Sequence, residues 1–128
     1  MWLVTALVAY AANTAWELAQ RPLYGAGQDV TRCLVAAGWD AAYTIAALAM
    51  ASAARQRWGR AAYWSTLILS LLLLATGIEF WALTTDRWSY SSAMPTLLGL
   101  GLSPLTQLPL LGAMVALVHG AAAARRRT

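Results

Sequence analysis

Lysine is missing from this sequence, and cysteine, histidine and phenylalanine occur once each. Each scarcity excludes something. A single cysteine, Cys33, cannot close an intramolecular disulfide, and a lone thiol beside an apolar stretch reads as packing. The single histidine, His119, lies far in sequence from every acidic residue, and zinc, copper and haem sites almost always need His or several Cys. No metal and no organic cofactor is expected. Charge is scarce as well: 11% of the 128 residues are charged, where a soluble domain carries about 25%. The nine basic residues, all Arg, sit between and after apolar runs and form no basic stripe with interleaved aromatics, which argues against a nucleic-acid partner.

What is present is apolar. Sixty per cent of the residues are hydrophobic, and a chain this short is mostly surface once folded. Water is therefore the wrong solvent for most of these side chains, and lipid is the expected one. The seven Trp agree, because indole favours the membrane–water boundary. Four apolar runs, at about 2–19, 33–54, 63–84 and 95–122, each come near the ~20 residues needed to cross a ~30 Å hydrocarbon core as a helix. Isolated strands are not expected, because an open strand edge cannot be satisfied in lipid. Ala9-Tyr10-Ala11 resembles a signal-peptide cleavage site, but no basic residue precedes it and the run continues to Ala19, so a retained helix is expected. The fold predicted is all-α: one transmembrane domain, 1–128, built as a four-transmembrane-helix bundle.

The joints are Gln20-Arg21-Pro22 with Gly25-Ala26-Gly27, then Arg55-Gln56-Arg57-Trp58-Gly59-Arg60, then the stretch around Arg87. Arg55, Arg57, Arg60, Arg125, Arg126 and Arg127 fall on one side of such a bundle, and Arg21, Arg32 and Arg87 on the other. The Arg-rich side is expected to be cytoplasmic, with both termini inside. The second run is rich in small residues (Ala36, Ala37, Gly38, Ala41, Ala42, Ala46) that let helices approach closely, which predicts a central position. Pro104 and Pro109 interrupt the hydrogen bonding of the fourth run and predict a kink around Gln107, facing protein.

Five polar residues, Asn13, Glu17, Asp40, Glu79 and Gln107, fall inside the runs. Ionisable groups at membrane depth are costly and are functional candidates by default. At 1.5 Å per residue, all three carboxyls lie within roughly 10 Å of the outer ends of their helices. Asn13 shares a face with Glu17, Tyr43 and Thr44 share one with Asp40, and Thr76 precedes Glu79 by one turn. Together they predict one shared polar cavity in the outer half of the membrane, faced by both Asp40 and Glu79, at least one of which carries a proton near neutral pH. Structural alternatives stand beside this: Asn13 and Gln107 as interhelical hydrogen-bond glue, Glu17 paired with Arg21, and Glu79 paired with Arg87 or Arg32.

Three stretches carry a resemblance: 13–24, beginning Asn13-Thr14-Ala15-Trp16-Glu17; Gly38-Trp39-Asp40; and Glu79 through Asp86-Arg87-Trp88-Ser89-Tyr90-Ser91 and Met94-Pro95 to Gln107. Together they resemble a group of small bacterial four-helix integral membrane proteins, which implies a multi-pass protein of the bacterial cytoplasmic (inner) membrane. In architecture the chain is also similar to the EXPERA domain of emopamil-binding-type sterol isomerases. There, four helices surround a lipid pocket in which polar residues move a proton on and off a double bond. That likeness rests on Glu17, Asp40 and the aromatic-rich end of the third run. No histidine accompanies Glu17 here, and Gln107 stands where Asn and Trp would be expected.

Three functions follow as expectations. The first is cofactor-independent acid/base chemistry, isomerase- or cyclase-like, on a lipidic or isoprenoid substrate. Asp40, Glu79 and Glu17 are the catalytic candidates, and Asn13, Trp16, Trp39, Tyr43, Thr76 and Gln107 the substrate-binding ones, with Trp39 suited to shelter a carbocation. The second is a small proton-coupled transporter acting as a homo-oligomer, namely a dimer, though its acids would lie to one side of the midplane. The third is a non-catalytic accessory subunit or assembly factor of a membrane complex. A cavity open sideways or outward but closed to the cytoplasm marks the enzyme, a pathway reaching both sides the transporter, and no cavity the subunit.

Overall fold

The computed structural model describes residues 1–26 and 28–125. Gly27, Arg126 and Arg127, used above for a loop and for topology, lie outside the described residues. The chain's regular structure is all-helical apart from one short hairpin. Helix α1 spans Trp2–Gln20 and runs into a 3₁₀ turn at Arg21–Leu23; α2 spans Val30–Thr84; strands β1 (Thr96–Leu97) and β2 (Leu100–Gly101) form the hairpin; α3 spans Leu102–Arg125.

Where the sequence predicts a loop over 55–60 between two helices, helical backbone runs through all of these residues but Gly59. The second and third predicted helices therefore form one element, α2, broken at that glycine, and the structure has three α-helical elements. Arg, Gln and Trp are compatible with a helix, and only Gly59 leaves it, at φ 87° and ψ −169°. That region of backbone space is essentially restricted to glycine. The chain reverses there. Asp40 and Glu79, which would stand roughly 58 Å apart on a straight helix, line one cavity, and Leu48 and Ala51 share a core with Leu67 and Leu71. The arms 30–58 and 60–84 thus pack side by side. Gly59→Ala is expected to destabilise the protein by about 1–3 kcal/mol, the cost of holding an alanine in that conformation. Thermal unfolding in detergent measures it, and an unchanged midpoint would mean the reversal does not depend on this geometry.

Both ends of α2 are capped by local chemistry. At the start, the Asp29 carboxylate accepts the Arg32 N–H at 2.8 Å, the usual work of an N-cap aspartate. At the finish, Asp86 adopts a left-handed conformation (φ 54°). The Arg87 N–H bonds the Ala82 carbonyl at 2.8 Å, and the Asp86 N–H points back to Leu83. This is a Schellman closure with Asp in the place glycine usually takes.

The fourth run also differs from expectation. Residues 96–101 pair as an antiparallel hairpin, Thr96 with Gly101 and Leu97 with Leu100, turned by Leu98 and Gly99 at positive φ. The expectation of no strand fails here because the hairpin lies outside the helices, at their end. Helix α3 therefore begins at Leu102, not 95. Pro104 sits in its first turn, where a missing N–H costs no hydrogen bond, so it is not a kink site. Pro109 alone is interior.

The loop end is knitted together by Gly25 N–H to Ser89 O (2.8 Å), Ser91 N–H to Leu23 O (2.9 Å) and a bridge between Tyr24 and Tyr90. At the other end, Trp2 packs on His119 with ring centroids 4.5 Å apart, and Thr5 Oγ1 lies 2.8 Å from His119 Nδ1. Both termini of the described chain lie at that second end. Between them the core is Ala9, Ala47, Leu48, Ala51, Leu67, Leu71 and Val115. The small residues of α2 divide. Ala37, Ala41 and Ala47 are buried, while Ala42, Ala46 and Ala49 face outward, so this arm is central on one face only. At Gly112 a Cβ would fall 2.2 Å from Leu71 Cδ1, and glycine is what lets α3 approach the arm 60–84. Large apolar side chains cover the outside: Leu3 (73% exposed), Leu73 (72%), Phe80 (63%) and Leu117 (63%).

Candidate functional site

The site grows from α1. Asn13, Glu17 and Gln20 occupy its inward face at three- and four-residue spacing, and Asn13 and Gln20 are buried. Buried amides must be hydrogen-bonded, and these meet Gln107 of α3, itself buried. Gln107 Nε2 lies 3.1 Å from Asn13 Oδ1, 2.9 Å from Glu17 Oε1 and 2.9 Å from Asp40 Oδ2. An amide nitrogen has two hydrogens, so three acceptors share them. Gln107 Oε1 accepts from Gln20 Nε2 at 3.1 Å. This fixes the orientation of the amide, since the reverse would point its oxygen at three oxygens. One side chain thus ties α1, the first arm of α2 and α3 together.

Gln20 is the second hub. Its Nε2 donates to Glu17 Oε1 (2.9 Å) as well as to Gln107. Its Oε1 accepts from Trp16 Nε1 (3.2 Å) and Ser103 Oγ (2.7 Å). Gln107 thus brings one oxygen of the Glu17 carboxyl and one of the Asp40 carboxyl onto a single amide nitrogen. Among the described residues the side-chain donors to the three acids are all neutral. Glu17 has no pairing with Arg21, whose Nε donates instead to the Gln28 carbonyl at 3.2 Å. Glu79 is held by Tyr90 Oη–H and by Trp88 Nε1 at 3.4 Å. Tyr90 Oη in turn accepts the Gly101 N–H at 2.8 Å, so the hairpin positions the phenol that holds Glu79. Burial, then the Glu79 carboxyl beside them, pushes the Tyr24 and Tyr90 hydroxyls well above the usual phenol range. Tyr90 is a proton donor to Glu79, not a base.

A cavity of about 900 Å³ lies between these groups, with Glu17, Asp40 and Glu79 in its wall. Every lining residue comes from 17–43, 75–88 or 104–108, so it occupies only the loop-end half of the bundle. Below it, Leu48, Leu67, Leu71 and Val115 are fully buried and close the way through. Trp39 and Val35 on one arm and Trp81 on the other line it while remaining well exposed, which opens it sideways. Trp39 stacks on Tyr43 (6.2 Å between ring centroids, 27° between planes).

Of the residues singled out from sequence, Glu17, Asp40, Glu79, Trp39, Tyr43 and Gln107 line this cavity. Asn13 lies buried behind Gln107 and does not line it. Trp16 reaches the network only through Gln20. Thr76 is exposed and bonds its own helix at Leu72 O, 2.8 Å; its spacing from Glu79 places it on the outer side of the arm. Thr44 likewise bonds the Asp40 carbonyl, 2.8 Å, and is buried. Cys33 is buried and its thiol points to the Glu17 carbonyl at 3.7 Å, a packing role.

Gln20, Ser103, Trp88 and Tyr90 belong to the site but are not among the residues that the sequence singles out for it. Gln20 reads as a helix stop because Pro22 follows it, although its spacing from Glu17 was available as a signal. Among the described residues no three His, Cys, Asp or Glu come together in a metal-binding arrangement. Comparison with protein-family models, with curated proteins and with solved structures finds no match to this chain.

Proposed function

We propose that this is a membrane protein whose carboxyl-lined cavity carries out acid/base chemistry, of the isomerase or cyclase type, on a lipidic or isoprenoid molecule. The membrane reading is supported by Val30–Thr84 and Leu102–Arg125, which contain windows of mean hydropathy 1.9 and 1.5; only 28% and 33% of those windows is buried, so most of that apolar surface faces outward. Helix α1 has a more polar inner face, but Leu3, Val4 and Leu7 point out. Counting α2 as two spans about Gly59, the proposal is a four-span inner-membrane protein of bacterial type, both termini cytoplasmic and the cavity opening to the outer half. Labelling with an impermeant thiol reagent tests this. With Cys33→Ala as background, Ala26→Cys is expected to label from outside and Arg57→Cys only after permeabilisation. The reverse pattern would invert the topology.

The observation that carries the chemistry is the Glu17–Asp40 carboxyl pair, bound through Gln107 and exposed to a cavity that opens sideways and is closed below. With a proton on one of the two, such a pair holds a donor and an acceptor side by side, which is what proton addition at one carbon and removal at another requires. Glu79, across the cavity, supplies a second acceptor. Aromatic faces at Trp39 and Tyr43 suit a cationic intermediate. The closed floor counts against the transporter reading, and a cavity of this size against a subunit without one. Mass-spectrometric comparison of lipid extracts from cells with and without the gene tests the function. A double-bond isomer or cyclised lipid is expected only with the gene, and identical extracts would count against the enzyme reading.

A further inference from the structure

The cavity has a rim that the acid/base reading leaves unused. Arg32 and Arg87 both line it, and they come from opposite ends of α2, each set in place by the cap beside it. Arg87 lies over the Trp81 ring, 5.0 Å from its centroid, which holds the guanidinium toward the opening. Neither guanidinium has a hydrogen-bond or ion-pair partner among the described residues, whereas Arg21 on the same side is used by a backbone carbonyl. Of the acids nearby, Asp29 is committed to the α2 N-terminus, Asp86 shares the rim, and Glu17, Asp40 and Glu79 lie in the cavity wall.

We propose that this rim is a head-group subsite for an anionic amphiphile. A phosphate head is held between Arg32 and Arg87, and the apolar chain enters between Trp39 and Trp81. The proposal rests on the reading that the cavity takes a lipidic molecule and names its class. Guanidinium forks match phosphate oxygens in pairs, and an arginine held on an aromatic face is already ordered for that contact. The carboxyls within repel a second negative charge, so a phosphate stops at the rim and only the uncharged chain goes deeper. Arg32 and Asp40 are eight residues apart on one helix, a rise of roughly 12 Å. The atoms presented to the acid pair are therefore about that far from the head.

Intrinsic tryptophan fluorescence of the full-length protein in phosphatidylcholine nanodiscs tests this, with farnesyl phosphate, farnesol and inorganic phosphate as probes. Farnesyl phosphate is expected to bind at least tenfold more tightly than farnesol. Arg32→Gln with Arg87→Gln should remove that advantage and leave farnesol binding as it was, which also shows the variant is folded; Arg32→Lys with Arg87→Lys should keep part of it. Competition by phosphatidylglycerol would identify a membrane phospholipid as the natural source of the head, and its absence a single-chain phosphate; either result keeps the subsite. Equal binding of the two amphiphiles, unmoved by the Arg changes, overturns the subsite but leaves the lipid cavity standing. Inorganic phosphate binding as tightly as farnesyl phosphate also overturns it, since the chain would then contribute nothing. If neither amphiphile binds, the cavity reading falls as well.

Discussion

Asp40→Asn is expected to give a folded, membrane-inserted protein with no activity: the lipid extract of cells carrying it should match that of cells without the gene. Asn fits the space of Asp. Its carbonyl still accepts from Gln107, now 2.9 Å from the Asp40 carboxyl, and its amide can donate to the neighbouring Glu17 carboxyl. Stability in detergent should stay within about 1 kcal/mol of the parent, since the hydrogen bonds are exchanged and not lost. What disappears is the exchangeable proton. A positioned acid or base contributes about 10²- to 10⁴-fold to a rate, so turnover should fall at least 100-fold. A lipid profile unchanged by this substitution would reduce the pair to interhelical glue and remove the acid/base proposal.

The second large effect is on stability. Gln107→Leu removes the one side chain that touches Asn13, Glu17, Asp40 and Gln20 together. Leucine is close in volume, so the loss is of hydrogen bonds and not of packing. Each buried polar group left without a partner costs about 1–3 kcal/mol, and part of that is recovered where Gln20 and the carboxyl pair rebind one another. A net loss on the order of 3 kcal/mol is expected, measured by thermal or denaturant unfolding in detergent. Combining the change with Asn13→Ala should cost less than the sum of the two single changes, because they break the same contact. A fully additive pair, or a Gln107→Leu protein as stable as its parent, would mean the network contributes nothing to the fold.

The pattern of these residues was partly legible in advance. Glu17, Asp40 and Gln107 stand out because a polar group in an apolar helix has to find a partner, and the only partners in reach are one another. Asn13 follows from its four-residue spacing to Glu17. The same reasoning failed at Thr76. Its spacing from Glu79 suggested a shared face, but a threonine satisfies itself on its own carbonyl one turn back and therefore has no need to face inward. It failed again at residues 55–60, where a cluster of charge suggested a loop. Charge does not end a helix, and only the backbone at Gly59 does. At 95–101 the apolar count suggested helix, while the turn at Leu98 and Gly99 closes a hairpin.

Composition and periodicity alone determined the helical class of this chain, the outward placement of its apolar side chains and the short list of polar residues that had to meet. Those properties are local: each depends on a residue and its neighbours within a turn or two. Only the tertiary structure decided which partners they met. Gln20 became a hub because the end of α1 lies against the first turns of α3, and Tyr90 became the partner of Glu79 because the hairpin brings Gly101 to its hydroxyl. Arg32 and Arg87 came to one rim because α2 folds back on itself. The hydrogen bonds of Gln107 and Gln20 to other helices join residues 67 to 94 positions apart, and such contacts depend on how the helices reverse and pack, which one glycine conformation and one hairpin turn settled here.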